Sequence, residues 1–80
     1  MIDAEVRAHQ AARLLDDPLL VEVLDEIEQA AINAWASTSL AAVDQRELAY
    51  HSLKASRRVR DTLKGVVDNG LVAASRAVRR

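Results

Sequence analysis

Leu20, Leu24, Ile27, Ala31 and Ala34 recur at spacings of four, three, four and three. That is the period of an α-helix with one apolar stripe, and Val23 and Trp35 widen the stripe into a core-facing surface. Glu22, Asp25, Glu26 and Glu28 fall mainly on the other sides. Asp17 followed by Pro18 supplies an N-cap and a proline at the first helical position, where its missing N–H goes unneeded, so a helix is predicted over 18–36. Upstream, Ala4, Ala8, Ala11 and Leu15 form a narrow stripe of small residues. They predict a shorter helix over about 3–15 that lets another helix approach closely.

Residues 36–43 read as a connection, after which Asp44 and Glu47 have the spacing of a capping box. Val43 and Leu48 suit the hydrophobic staple that accompanies such a cap. A third helix is predicted from there to about 69, where Asn69 and Gly70 suggest a Schellman stop with Leu71 touching Val66. Two capped helices joined by a short loop make an antiparallel hairpin of about 18–36 and 45–69. Its expected core is Leu20, Leu24, Ile27, Ala31 and Trp35 against Val59, Leu63 and Val66. Trp35 should lie near Leu48 at the closed end, and Leu20 and Leu24 near Leu63 and Val66 at the open end. Between them the third helix offers only Ala49, Ser52, Ala55 and Ser56. Residues 72–80 read as a short basic tail or a fourth helical turn. The fold class is all-α, in a single domain over 1–80.

Composition makes this fold small-cored. Among 80 residues there are fifteen Ala but one Trp, one Tyr and no Phe, and a chain this short buries only about 60% of the surface it exposes when unfolded. Partners or copies of itself are expected to complete the core. With no Cys, a disulfide framework and a thiolate zinc site are excluded, in keeping with a reducing compartment. The N-terminus lacks a basic start and an apolar segment, and no apolar run approaches about 18 residues. No signal peptide or membrane span is therefore expected.

The net charge of −1 hides a partition. Residues 1–40 hold eight acidic and two basic side chains, whereas 41–80 hold nine basic and four acidic ones. The basic cluster Lys54, Arg57, Arg58, Arg60 and Lys64, extended by Arg76, Arg79 and Arg80, is the candidate surface for DNA or an acidic protein partner. It lacks a helix-turn-helix pattern or an aromatic stacking platform. The competing reading is that these bases pair with the acidic second helix, in the same hairpin or in a neighbouring copy.

Catalytic chemistry finds little support. No Glu is followed three residues later by His, as di-metal bundles require, and His9 and His51 are isolated, so no metal or cofactor is expected. Ser37, Thr38 and Ser39 lack a paired base and read as turn and cap residues. Two isolated glycines cannot build a phosphate-cradling loop. Small helical chorismate mutases are of similar length, but their first helix usually carries an Arg that the acidic helix here lacks. No small-molecule substrate is expected. Trp35 reads first as a core side chain and second as an interface anchor.

The run 11–28, then Ala34 and Trp35, Asp44 and Glu47, Leu53, Val59 and Arg60, and finally 66–71, resembles small helical proteins encoded by tailed phages and prophages near their packaging and head genes. Within that setting the resemblance points to the terminase small subunit. It implies a ring-forming, non-enzymatic recogniser of viral DNA with a helical hairpin as its oligomerisation core. The chain departs from that plan in being short and in lacking an N-terminal helix-turn-helix. The resulting expectation is a self-associating protein of DNA packaging or head assembly, in the cytoplasm of an infected bacterium or in the virion. Its partners would be itself, viral DNA and the packaging motor or portal. The alternative is a small adaptor or inhibitor that docks its 20–35 stripe on a bacterial host protein.

Overall fold

The computed structural model describes residues 3–78. They form three helices, α1 (Ala4–Leu15), α2 (Pro18–Ala36) and α3 (Val43–Val78), with no strand among the described residues. The chain is all-α, as the periodicities predict. α3 is 36 residues long, about 54 Å at 1.5 Å per residue, and runs nearly the full 60 Å of the molecule. α1 and α2 both pack on α3 and hardly touch each other. The architecture is a hairpin with one continuous arm, α3, and one broken arm in which α1 and α2 follow end to end.

The break has a local cause. Asp16 closes α1, its N–H bonding the Ala12 carbonyl at 3.1 Å, and Asp17 opens α2 by accepting from the N–H groups of Leu19 and Leu20 at 2.9 and 3.1 Å. Pro18 needs no such partner. At the other end of α2 the Ser37 and Thr38 hydroxyls donate to the carbonyls of Ala34 and Trp35, at 3.1 and 2.7 Å. They satisfy acceptors that the helix end leaves free, which is the cap role their sequence context suggests.

Along α3 the residues that face the broken arm keep a strict period of seven. Ala49, Ser56, Leu63 and Gly70 form one series and Arg46, Leu53, Arg60, Val67 and Ala74 the other, every one of them buried or half-buried. This is the seam of a coiled-coil-like pair. Ala49, Ser56, Gly70 and Ala74 keep it narrow, so the arms come close but enclose little apolar volume. The buried set is Ala11, Leu24, Ala31, Ala49 and Ser56, together with Gly70. Ser56 compensates for its polarity by donating to the Leu24 carbonyl at 3.3 Å.

The structure corrects several expectations. Gly70 does not end α3, and no described glycine has positive φ; the helix continues to Val78, so residues 72–78 are helix rather than a separate tail. Gly70 instead serves a close approach. A Cβ there would fall inside the envelope of the Ala8 Cβ and lie 3.0 Å from the Ala4 carbonyl oxygen. Docking of α1 gives the second half of α3 a partner, and this outweighs the local stop signal. The same docking shifts the hairpin register: Leu24 lies opposite Ser56, two turns of α3 before Leu63. Asp44 is not a cap either. α3 begins at Val43, with the Ala42 carbonyl accepting from Arg46 N–H at 3.0 Å, so Asp44 lies inside the first turn. Of the expected core, Leu24 and Ala31 are buried and Leu20, Leu63 and Val66 half-buried. Ile27, Trp35 and Val59 are 44%, 49% and 45% exposed, because two layers of helix cover only one side of each arm.

Gly65 differs from Gly70 in having nothing within 4 Å of the place a Cβ would occupy. Gly65→Ala should therefore stabilise the chain by about 0.5–1 kcal/mol through helix propensity alone, read as a higher urea midpoint with an unchanged slope.

Candidate functional site

The two flat faces of the hairpin differ in chemistry. One carries the ion pairs. Arg57 Nε bonds Glu28 Oε1 at 2.7 Å, Arg60 bonds Asp25 Oδ1, and Arg60 Nη1 lies 3.5 Å from Glu28 Oε2. These pairs tie the middle of α3 to α2, because Asp25 and Glu28 are one helical turn apart and face two residues with the same spacing. The hydrogen bond to Asp25 raises the Arg60 pKa above its ordinary value, opposed by desolvation and reinforced by the charges of Asp25 and Glu28. A raised pKa leaves the group charged in both folded and unfolded chains near neutrality, so this contribution is constant there. On the same side the Arg46 guanidinium sits 4.9 Å from the centroid of the Trp35 ring, a cation–π contact. Trp35 also lines a small apolar cleft with Ile32, Tyr50 and Leu53.

The opposite face holds an open trough of about 600 Å³ lined by Ile27, Ala30, Ala34, Leu48, Ser52 and neighbours, none of them ionisable. Its walls are Ile27 and Leu48, and Leu48 is 69% exposed. Toward the Pro18 end of the hairpin, Leu19 and Val23 on α2 continue the exposed apolar surface, Leu19 at 67%. Helical geometry sets Leu19, Val23, Ile27, Ala30 and Ala34 on one flank of α2, three or four residues apart.

The basic cluster expected from the sequence is divided by this arrangement. Arg57 and Arg60 face α2 and are paired there, the intramolecular reading of their charge. Lys54, Arg58 and Lys64 are exposed on α3. Lys54 lies 5.8 Å from the Tyr50 ring centroid and shares a shallow outer groove with Arg58, His51 and Asp61. Arg76 is exposed near the far end of α3, apart from that group, and Arg79 and Arg80 lie outside the described residues. Glu22 and Glu26 project from the outer side of α2 beside Asp25, on an open surface. Among the described residues no three His, Asp or Glu side chains come together as a metal site, and no helix is long and apolar enough to cross a membrane.

The chain matches no family model, no curated protein and no solved structure. The sequence reading missed the trough, with Ala30, Ala34, Leu48 and Ser52 as its working residues. The signal was available in the period of seven along α3, which separates the α2-facing seam from the flank that Leu48, Ser52 and Val59 occupy.

Proposed function

We propose that this chain is a non-catalytic, self-associating helical protein of tailed-phage DNA packaging or head assembly. The observation that carries the self-association is the uncharged apolar face, on which Leu19, Val23, Ile27, Leu48 and Val59 are all exposed. Contiguous apolar surface of this kind marks an interaction site. The outward bases Lys54, Arg58 and Lys64 are free to meet phosphate, and the resemblance to phage proteins supplies the setting. Arg57 and Arg60 act in this reading as hairpin ties rather than as DNA contacts.

Size exclusion with light scattering at low and high salt, followed by binding to duplex DNA, tests the proposal. A discrete oligomer that survives high salt is expected, since apolar contacts are not screened as surface charges are. DNA affinity should fall steeply with salt, and replacing Lys54, Arg58 and Lys64 together by Ala should reduce the slope of log affinity against log salt by about three. A salt-independent monomer indifferent to DNA would overturn the proposal and favour the adaptor reading, with the same apolar face laid against a host protein.

A further inference from the structure

We infer that the apolar face is covered by a second copy of this chain with its hairpin reversed, α2 lying antiparallel on α2 and α3 on α3, about a two-fold axis level with Ile27. The inference rests on the self-association reading alone and not on DNA or a phage setting.

The exposed area calls for an occupant of this size. The chain exposes 6417 Å², whereas a folded monomer of 8.8 kDa should expose roughly 4,800 Å². The excess, roughly 1,600 Å², exceeds the 800 Å² or so that each partner contributes to a stable interface. The radius of gyration, 17.3 Å against roughly 12 Å for a compact chain of this length, gives the same answer in shape. The chain is one layer short of a globule.

Charge favours a copy as the occupant. About a two-fold axis every side chain near the axis meets its own kind, so a face with ionised groups there would repel itself. Val23, Ile27, Ala30, Ser52 and Ala55, on the flank level with the axis, carry none; Glu26 projects from the outer side of α2 with Glu22 and Asp25, and the Arg57 and Arg60 pairs lie on the other face.

Shape fixes the orientation. On the flank of α2 the large residues Leu19 and Val23 precede Ile27 and the small residues Ala30 and Ala34 follow it. Reversal places Leu19 on Ala34 and Val23 on Ala30 of the second copy, with a large side chain entering a small one's space each time. Those pairs share a midpoint between residues 26 and 27. On α3 the same reversal sets Leu48 on Val59 and Ser52 on Ala55, with a midpoint between 53 and 54. The two midpoints are level in the hairpin, because Leu24 lies opposite Ser56, an offset that sets residue 26 or 27 opposite residue 53 or 54. One axis therefore satisfies both helices. The alternative, with two hairpins pointing the same way, would stack the Leu19 and Val23 ridge on Val59 and leave two troughs facing each other as a void, which close-packed interfaces avoid.

Because the chain has no cysteine, single introduced cysteines give an unambiguous test on the full-length protein. Ile27→Cys should oxidise to a disulfide-linked dimer, since each copy meets its mate at the axis. Ala34→Cys alone should not, because its mate would lie roughly 22 Å away along the helix, beyond the 7 Å or so that a disulfide spans. A mixture of Ala34→Cys with Leu19→Cys should cross-link as heterodimer. Ala30→Glu should give a monomer with its helix content retained, since Ala30 is exposed in the hairpin itself. Rapid self-linking of Ala34→Cys, absence of the Ile27→Cys dimer, or a monomeric native chain at tens of micromolar would each overturn the inference. A dimer linked through Ile27→Cys that ignores DNA would uphold it while removing the packaging role, whereas a ring that binds DNA without that link would do the reverse.

Discussion

Leu24→Asp is expected to abolish the hairpin. Leu24 is 6% exposed and is the largest buried side chain, the rest of the buried set being Ala, Ser and Gly. Losing its side chain would by itself cost about 2–5 kcal/mol, and a carboxylate placed there without a cation adds several more. A domain of this length is stable by roughly 4–12 kcal/mol in total, so the variant should lose most of its helical signal in far-UV circular dichroism at room temperature. Leu24→Met keeps volume and apolarity and should cost less than about 1.5 kcal/mol. If Leu24→Asp melts like the parent chain, Leu24 does not face α3 and the register set by the Ser56 hydrogen bond is wrong.

Gly70→Ala should destabilise by about 1–2 kcal/mol, opposite in sign to Gly65→Ala. Both substitutions gain about 1 kcal/mol of helix propensity. At Gly70, however, the new methyl meets the Ala8 Cβ and the Ala4 carbonyl, neither of which can rotate aside, so α1 has to move off α3. Overpacking of this kind costs about 1–3 kcal/mol, and contact with backbone puts it at the upper end. Hydrogen exchange should show the loss concentrated in α1 amides, with α2 protected as before. Removing the opposing methyl by Ala8→Gly in the Gly70→Ala chain should return α1 protection toward that of the parent. Stabilisation by Gly70→Ala, matching Gly65→Ala, would mean that α1 does not approach α3 at this point.

What could be read from the sequence was governed by the range of the interaction. The start of α2 follows from Asp17 and Pro18, whose effects act within a turn, and α1 follows from the spacing of Ala4, Ala8, Ala11 and Leu15; both appear where these residues predict. The all-α class and the hairpin follow in the same way from spacing. The end of α3 was misread because Asn69, Gly70 and Leu71 satisfy the local rule for a stop, whereas the tertiary contact with Ala8 lies some sixty residues away in the chain. The register of Leu24 was misread for the same reason: once α1 occupies the second half of α3, α2 is confined to the first half. For the candidate site, the charge partition showed that α2 and α3 would attract, but not that Arg57 and Arg60 would be the members drawn inward. Their places, set by the period of seven and by carboxylates at Asp25 and Glu28, separate them from Lys54, Arg58 and Lys64. Trp35 fell between its two readings, half-exposed yet under Arg46.

The near absence of contact between α1 and α2 governs how the chain comes apart. Each is docked on its own half of α3, and they communicate only through the continuity of that helix and the two residues at the break. The molecule then behaves as a short linear array, with stability approximated by two separate docking terms. Release of either segment leaves the other docked, so opening should proceed in subglobal steps below the energy of complete unfolding. A melting temperature would consequently depend on the reporter, with Trp35 fluorescence following the α2 half alone.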